Sequence, residues 1–188
     1  GGTLLLSGNT SYTTPSISST TLYYVQTRNT TTGCSSSART AVTAQISSIG
    51  TWLGSTTNWN DASNWCNGVP PTSSDNVIIP SGLTKYPTIS TNNATCNNIT
   101  IQSGASLIVS GSGKLSIYGT NITNTSGTFN ATDGTIEMAG NTTAQSIPAN
   151  LFVGNNVKNL IINSVADTLK GTLNVLSKLS FDFSAHLY

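Results

Sequence analysis

The chain has 188 residues and a formal net charge of +1, and only 7% of its residues are charged, against about 25% in an average soluble protein. Ser, Thr and Asn make up about two fifths of the sequence, and 36% of residues are hydrophobic, which indicates an all-β protein with many turns rather than a disordered chain. The near-neutral charge argues against nucleic-acid binding, and the lack of a long apolar run argues against membrane insertion.

The first part of the chain, residues 1–47, alternates as short strands do. Residues 20–27 and 39–46 predict an antiparallel hairpin across a Gly- and Ser-rich turn. Two shorter strands are predicted at Leu4–Leu6 and Ser16–Ser18. These strands are too few for a sandwich of about seven. We therefore expect the rest of this domain to lie outside the sequence.

Several segments of this unit resemble the closing half of the immunoglobulin-like repeats found in giant secreted proteins of Bacteroidota. They are Thr13–Ile17, Thr20–Val25, Gly33–Cys34 and Arg39–Ala44. In that family, the cysteine of the Gly–Cys pair commonly bridges to a cysteine near the domain start. The resemblance therefore implies a partner for Cys34 before Gly1.

A tryptophan cluster opens the second part of the chain, near Ser48. Trp52, Trp59 and Trp65 fall close together among Asn and Asp residues. The rings could form an exposed row that stacks on sugars, which makes them candidate glycan contacts. Alternatively, they could cover the open end of a repeat structure, which we favour because large aromatic side chains bury about 150–250 Å² each.

The cysteines give a further expectation. Cys66 and Cys96 flank a loop whose closure by a disulfide would contribute roughly 3–4 kcal/mol, and the alternative is a pair of buried thiols. No cysteine lies in a CxxC or Cys/His spacing, and His186 is the single histidine. We therefore expect no metal site and no cofactor.

Apolar residues recur from residue 97 onward as doublets, at a step of seven or eight residues, separated by polar turns. Each doublet predicts a short strand with two side chains on one face, and such units must stack to bury that face. The pattern predicts a β-solenoid, with about 21–24 residues per coil and four to five coils between residues 77 and 183. The doublets are Ile99/Ile101, Leu107/Val109, Leu115/Ile117 and Ile136/Met138, with Ile122 and Phe129 as degenerate members.

This second part is similar to a solenoid module of the same giant adhesin-like proteins. The similarity rests on Trp52–Gly54, Asn58–Asn60, Asn64–Trp65, Gly68–Pro70, Asp75–Pro80 and Cys96–Ile101. It implies a right-handed parallel β-helix, export by the type IX secretion route, display on the cell surface and, for some members, gliding motility. Secretion and anchoring machinery would be engaged through regions outside this sequence.

These observations divide the chain into three predicted regions. Residues 1–47 are a partial immunoglobulin-like β-sandwich, residues 48–76 a Trp-rich cap and linker, and residues 77–188 a β-solenoid that we expect to be truncated at its C-terminus. The chain would then be a piece of a longer protein.

Catalytic residues are not evident. Asp133 and Glu137 are the one close acidic pair, but Asp133 reads as a turn residue and Glu137 as an outward-facing strand residue, so we do not assign them as a glycosidase dyad. Both arginines lie in residues 1–47, away from any lyase-like cluster of Asp with Arg or Lys. We expect no enzyme activity; the alternative is part of a β-helix polysaccharide lyase or hydrolase with catalytic residues elsewhere.

A modification motif completes the sequence. Asp167–Leu169 is similar to the Asp-Ser/Thr-apolar motif that Bacteroidota use for O-glycosylation of exported proteins, which implies Thr168 as the acceptor.

The expected function is a stiff stalk of a secreted, extracellular adhesin that contacts polysaccharide or other surface glycans. A passive spacer that binds nothing remains the alternative.

Overall fold

The computed structural model describes residues 8, 11–15, 17, 20–44, 48–91, 93–141 and 143–182. The chain divides into two compact units, Gly1–Ser47 and Ser48–Tyr188. Among the described residues, helix is limited to two short 3₁₀ segments, Ala62–Asn64 and Val153–Asn155, and the remaining regular structure is β. The predicted all-β class is confirmed.

The first unit contains an antiparallel hairpin of β1 (Thr21–Val25) and β2 (Thr40–Ala44). Its turn is organised by Asn29, whose side chain accepts hydrogen bonds from two successive backbone N–H groups, both at 2.9 Å. Gly33 supplies the left-handed φ of +73° that closes the turn. The hairpin predicted from alternation is therefore present.

Other predictions for this unit fall on residues that the structure leaves undescribed. The predicted strand Leu4–Leu6 and the last residues of the second predicted strand, 45–46, lie outside the described residues. Of Ser16–Ser18, only Ile17 is described, and it is half-buried. Leu22 and Tyr24 alternate along one side of β1 and are exposed within this unit.

The second unit is a β-solenoid of about five turns. Three strands make up one coil, or two strands where one of them bends around a corner. The strands are β3 (Val77–Ile79), β4 (Thr88–Ile89), β5 (Asn93–Cys96), β6 (Ile99–Ile101), β7 (Ser106–Val109), β8 (Lys114–Ile117), β9 (Ile122–Asn124), β10 (Thr128–Met138), β11 (Ser146–Ile147), β12 (Asn156–Ile162), β13 (Thr168–Leu169) and β14 (Asn174–Phe181).

Parallel ladders join neighbouring coils, and the strands lie on three faces. Face A consists of β3, β6 and β9; face B of β4, β7 and the first part of β10; face C of β5, β8 and the second part of β10. β12 pairs with both parts of β10 and β14 pairs with β12, whereas β11 and β13 form a separate parallel pair. Val77 pairs with Ile99 and Ile99 with Ile122, so a coil takes 22 or 23 residues along face A. This period matches the predicted coil length.

The apolar doublets meet in one interior. Alternate residues of each strand point inward, and the inward positions of successive coils stack in register. The doublets Ile99/Ile101, Leu107/Val109, Leu115/Ile117 and Ile136/Met138 are at most 1% exposed and belong to a single core cluster with Ile122 and Phe129. The prediction that these pairs share one dry interior is confirmed.

The corners of the coil are built from close backbone approaches and stacked amides. At the corner before face A, Asn98 donates through Nδ2 to Oδ1 of Asn76 at 2.7 Å and accepts from the backbone N–H of Asn121 at 2.9 Å. At another corner, a Cβ on Gly113 would lie 2.2 Å from the carbonyl oxygen of Ile89, so only glycine fits there. These contacts hold neighbouring coils at a fixed spacing.

The last coil is more open than those before it. β13 and β14 have mostly exposed side chains, and apolar residues such as Leu169 and Phe181 are 50% and 61% exposed. They border an apolar groove of about 350 Å³ that also contacts Leu160 and Ile162. The interior of the coil is thus uncovered at this end among the residues described.

Candidate functional site

The Trp-rich segment forms an extra layer on the first coil. Thr51 pairs in parallel with Ile78 of face A, and Asn58 pairs in parallel with Thr88 of face B. The backbone N–H of Trp52 donates to the carbonyl of Ile78 at 3.0 Å. The segment therefore begins the ladders of faces A and B, and the solenoid starts before β3.

All three tryptophan rings lie in the core, at 0–1% exposure. Trp65 contacts Trp52 and Trp59 edge-on, with ring centroids 5.1 and 4.8 Å apart. Its indole N–H donates to the carbonyl of Trp59 at 2.7 Å, and that of Trp52 donates to the carbonyl of Lys85 at 2.9 Å. The indole nitrogen of Trp59 is buried without a hydrogen-bond partner.

This burial bears directly on the proposed glycan contacts. A sugar stacks on an exposed ring face, and Trp52, Trp59 and Trp65 present none in this structure. Their burial disfavours these candidate glycan contacts and agrees with the favoured alternative, in which the rings cover the end of the repeat structure. They pack as aromatic side chains do when they cover the end of a core, because each ring offers a large apolar area and two of them satisfy their N–H groups.

Asn64 holds the same segment together, although the sequence analysis gave this residue no role of its own. It is fully buried, and its amide donates to Thr56 Oγ1 at 2.7 Å and to the carbonyl of Asn58 at 2.8 Å. Its Oδ1 accepts from the backbone N–H of Thr56 at 2.6 Å. These hydrogen bonds join the buried amide of Asn64 to the backbone of Thr56 and Asn58.

The predicted disulfide is absent from the described part of the chain. Cys96 ends β5 with its side chain in the core, in register with Ile117, whereas Cys66 is exposed. Burial raises the pKa of the Cys96 thiol far above its usual range. Cys66–Cys96 bridging is thus corrected because the two side chains face different environments, and only Cys96 fits the alternative of a buried thiol.

A compact polar cluster lies on the outward side of face C. Lys114 Nζ and Ser116 Oγ both donate to Glu137 Oε2 at 2.6 Å. Burial raises the pKa of Glu137, but hydrogen bonds from Lys114 and Ser116, with the charge of Lys114, outweigh it and hold the pKa below its usual value. Glu137 faces away from the core as predicted, yet it is only 9% exposed because its neighbours cover it.

Asp133 occupies a separate corner of the coil. It accepts from Lys158 Nζ at 2.7 Å and from the backbone N–H of Gly111 at 3.1 Å, and both contacts lower the pKa of its carboxyl. Asp133 and Glu137 are therefore paired with different lysines. Asp133 and Glu137 bind neighbouring coils to one another, a role that was missed because Lys114 and Lys158 lie one coil away in sequence.

Thr168 lies on β13, where it is exposed. The preceding residue, Asp167, accepts through Oδ1 from the backbone N–H of Gln145 at 3.0 Å and from the hydroxyl of Ser164. Its Oδ2 is buried and lacks a hydrogen-bond partner. The predicted O-glycosylation acceptor is thus accessible, while the aspartate of the motif joins two coils.

The outward side of face A has a different character. Residues 76–80, 98–102 and 121–125 contain no Asp, Glu, Lys or Arg. Thr100 pairs directly with Thr123, and in the described part of the chain neither hydroxyl has a hydrogen-bond partner. Face A therefore offers uncharged polar groups at the regular spacing of a parallel ladder.

The described residues contain neither a metal-binding cluster nor a membrane-spanning helix. No three of their His, Cys, Asp and Glu side chains cluster closely enough to hold a metal ion. Their helical segments are all too short to cross a membrane. His186 lies outside the described residues.

The geometry defines a β-solenoid that begins with a buried tryptophan layer and is preceded in the chain by an immunoglobulin-like unit. Residues 1–47 match the family described as "Ig-like domain CHU_C associated", a domain type found in Bacteroidota. The predicted immunoglobulin-like character of this unit is thereby confirmed.

Residues 51–174 match the family described as "Domain of unknown function (DUF8693)". This match covers well over half of the 188 residues, so the chain belongs to the DUF8693 family. No curated protein and no solved structure matches the chain.

Proposed function

We propose that this chain is a non-enzymatic segment of a large secreted cell-surface adhesin, in which the solenoid is a stiff stalk. The immunoglobulin-like and β-solenoid folds are compatible with a non-catalytic segment of a surface protein. The observation that carries the proposal is the single interior of the solenoid, covered by ladders that run from the Trp52 layer to β14. Because every coil hydrogen-bonds to the next, bending would stretch many bonds at once.

The setting of the solenoid in the chain supports a location outside the cell. The unit that precedes it matches an immunoglobulin-like domain type found in Bacteroidota, and the sequence of the second unit resembles solenoid modules of giant secreted proteins from the same group. On that basis, we place the parent protein among cargo of the type IX secretion route, displayed on the surface and engaged in adhesion or gliding motility. The low charge favours contact with neutral glycans over charged polymers.

Surface display is tested on intact cells of the native source. An antibody raised against residues 48–182 should label cells without permeabilisation, and brief protease treatment of intact cells should remove the signal. An antibody to a cytoplasmic protein serves as the control. Labelling that requires permeabilised cells would refute the proposed location.

Absence of catalysis is proposed from the state of the acidic residues. Glu137 and Asp133 are each held by a lysine, and Glu137 is covered, so neither has a free carboxyl facing a cleft. The full chain and its Glu137→Gln variant should both be inactive on uronic-acid polymers and neutral polysaccharides. Turnover by the full chain that disappears in Glu137→Gln would instead support the lyase or hydrolase alternative.

We also propose Thr168 as an O-glycosylation site. Its exposure on β13 allows access, and a sugar there would project from the solenoid. Peptide mass analysis of protein from the native source should show added mass on the Asp167–Leu169 peptide that Thr168→Val removes. An unmodified native peptide would rule out the assignment.

A further inference from the structure

The tryptophans are unavailable to a sugar, so a glycan contact requires another surface. Faces A and C differ sharply in charge. The outward side of face C contains the Lys114–Glu137 ion pair, whereas the outward positions of β3, β6 and β9 are uncharged. A charged polymer would find no counter-charge on face A, and a neutral one would desolvate no ion there.

Several amide groups of face A are held by hydrogen bonds, and β-branching restricts its threonine side chains. Strand alternation sends Thr100 and Thr123 outward from adjacent coils, at the ladder spacing of about 4.8 Å. Beside them, the amides of Asn76 and Asn98 are bonded to each other at 2.7 Å. Gln102 uses Oε1 to accept from the backbone N–H of Ser81, which sets the direction of its amide. Little side-chain freedom would be lost on binding such a surface.

We propose that face A binds a neutral, extended polysaccharide laid along the solenoid axis, an inference that rests on the surface-adhesin function proposed above. One coil spacing is comparable to the length of one pyranose unit in an extended chain, so successive sugars meet successive coils. The hydroxyls of Thr100 and Thr123 exchange hydrogen bonds with sugar hydroxyls. The threonine methyl groups and the half-buried Ile78 pack against the apolar C–H faces of the rings.

This occupant fits better than the other classes of partner. A protein partner of ordinary affinity needs an interface with buried anchors such as Trp, Tyr or Arg, and face A has none of these residues at its outward positions. Anionic polymers would be steered instead to Lys114 or Lys158, which are already paired. A neutral glycan is held by small, directional contacts, and the hydroxyls of Thr100 and Thr123 are groups of that kind.

The test compares matched variants of the full chain on insoluble cellulose, on a soluble neutral β-glucan and on polygalacturonate. Thr123→Lys places a bulky cation on face A, and Thr128→Lys places the same side chain on face B of the same coil, where Thr128 is also exposed. The double variant Thr100→Val/Thr123→Val removes two hydroxyls but keeps β-branched side chains, so the strands should persist. Thermal unfolding of each variant checks the fold.

The full chain should be retained on at least one neutral polymer, and retention should survive high salt because no ion pair is involved. Thr123→Lys and the double valine variant should bind about tenfold more weakly, as expected for the loss of one or two hydrogen bonds, whereas Thr128→Lys should bind as the parent does. The inference is overturned by no retention on neutral polymers, by equal loss in Thr128→Lys, or by salt-sensitive binding to polygalacturonate. If the polymer-binding test fails but intact cells are labelled, only the glycan-binding inference is refuted and the surface-stalk proposal is retained. If intact cells are not labelled, the surface-stalk proposal is refuted as well.

Discussion

A matched pair of tryptophan variants gives the sharpest test of the buried layer. Trp65→Phe and Trp59→Phe remove the same atoms from two fully buried rings that contact each other. They differ in one respect: the N–H of Trp65 donates to the carbonyl of Trp59 at 2.7 Å, whereas the N–H of Trp59 is buried without a partner. The volume lost is equal, so the difference between the variants isolates the hydrogen bond.

The expected magnitude follows from that difference. Removing one partner of a buried hydrogen bond costs about 1–3 kcal/mol, whereas removing an unsatisfied donor carries no such cost. Trp65→Phe should therefore unfold about 1–3 kcal/mol more easily than Trp59→Phe, and each kcal/mol lowers Tm by about 2–4 °C in a unit of this size. All tryptophans lie in the second unit, so their fluorescence reports its unfolding without interference from residues 1–47.

Calorimetry of the full chain provides an independent measurement of the same transition. Leu53→Ala, an exposed apolar residue in the same segment, serves as a control that should change Tm little. Equal destabilisation by both tryptophan variants, or a larger effect of Trp59→Phe, would contradict the assigned hydrogen bonds. Loss of glycan binding in Trp59→Phe with an unchanged Tm would contradict the burial of these rings altogether.

Three further outcomes follow from polar and thiol groups. Asn64→Ala should lower the free energy of unfolding by about 1–3 kcal/mol in denaturant titrations, and exposed Asn60→Ala by less than about 0.5 kcal/mol; equal effects would contradict the buried network. The folded pKa of Glu137 is below its ordinary 4.5, so the stability it adds is present above that pH and is lost as the pH falls through the folded value. In acid titrations, Glu137→Gln should therefore lose less stability than the parent chain as the pH falls below about 4.5. Parallel stability curves for the two proteins would refute the assigned pKa shift. Cys96 should react with a thiol reagent only after unfolding and the other two cysteines in the folded chain; fewer than three thiols in denaturant without reductant would reveal a disulfide.

The solenoid could be predicted from the sequence because its signals are local. Alternation within Ile99–Ile101 or Leu107–Val109 sets which side chains point inward, and the turns between them are rich in Gly, Ser and Asn. Stacking then follows, because no single short strand can bury its own apolar pair. The coil length also emerged from the spacing of these pairs, since three strands and their turns fill one circuit.

Contacts between coils could not be predicted from local sequence patterns in the same way. Lys114 and Glu137 meet because their strands, β8 and β10, are registered one coil apart, and a coil varies in length by a few residues. The predicted disulfide failed for a related reason: loop length alone does not tell that Cys96 points inward and Cys66 outward. The tryptophans were ambiguous, because exposed and buried aromatic clusters have the same composition.

The parallel ladders also determine how the solenoid would respond to tension. Hydrogen bonds between coils run along the axis, so a pull in that direction would load the outermost ladder first and detach the coils one after another. Each coil that is released on face A frees 22 or 23 residues, or about 70–80 Å of extended chain. A tether made of such coils would lengthen in discrete steps and dissipate a sudden load before its ends separated.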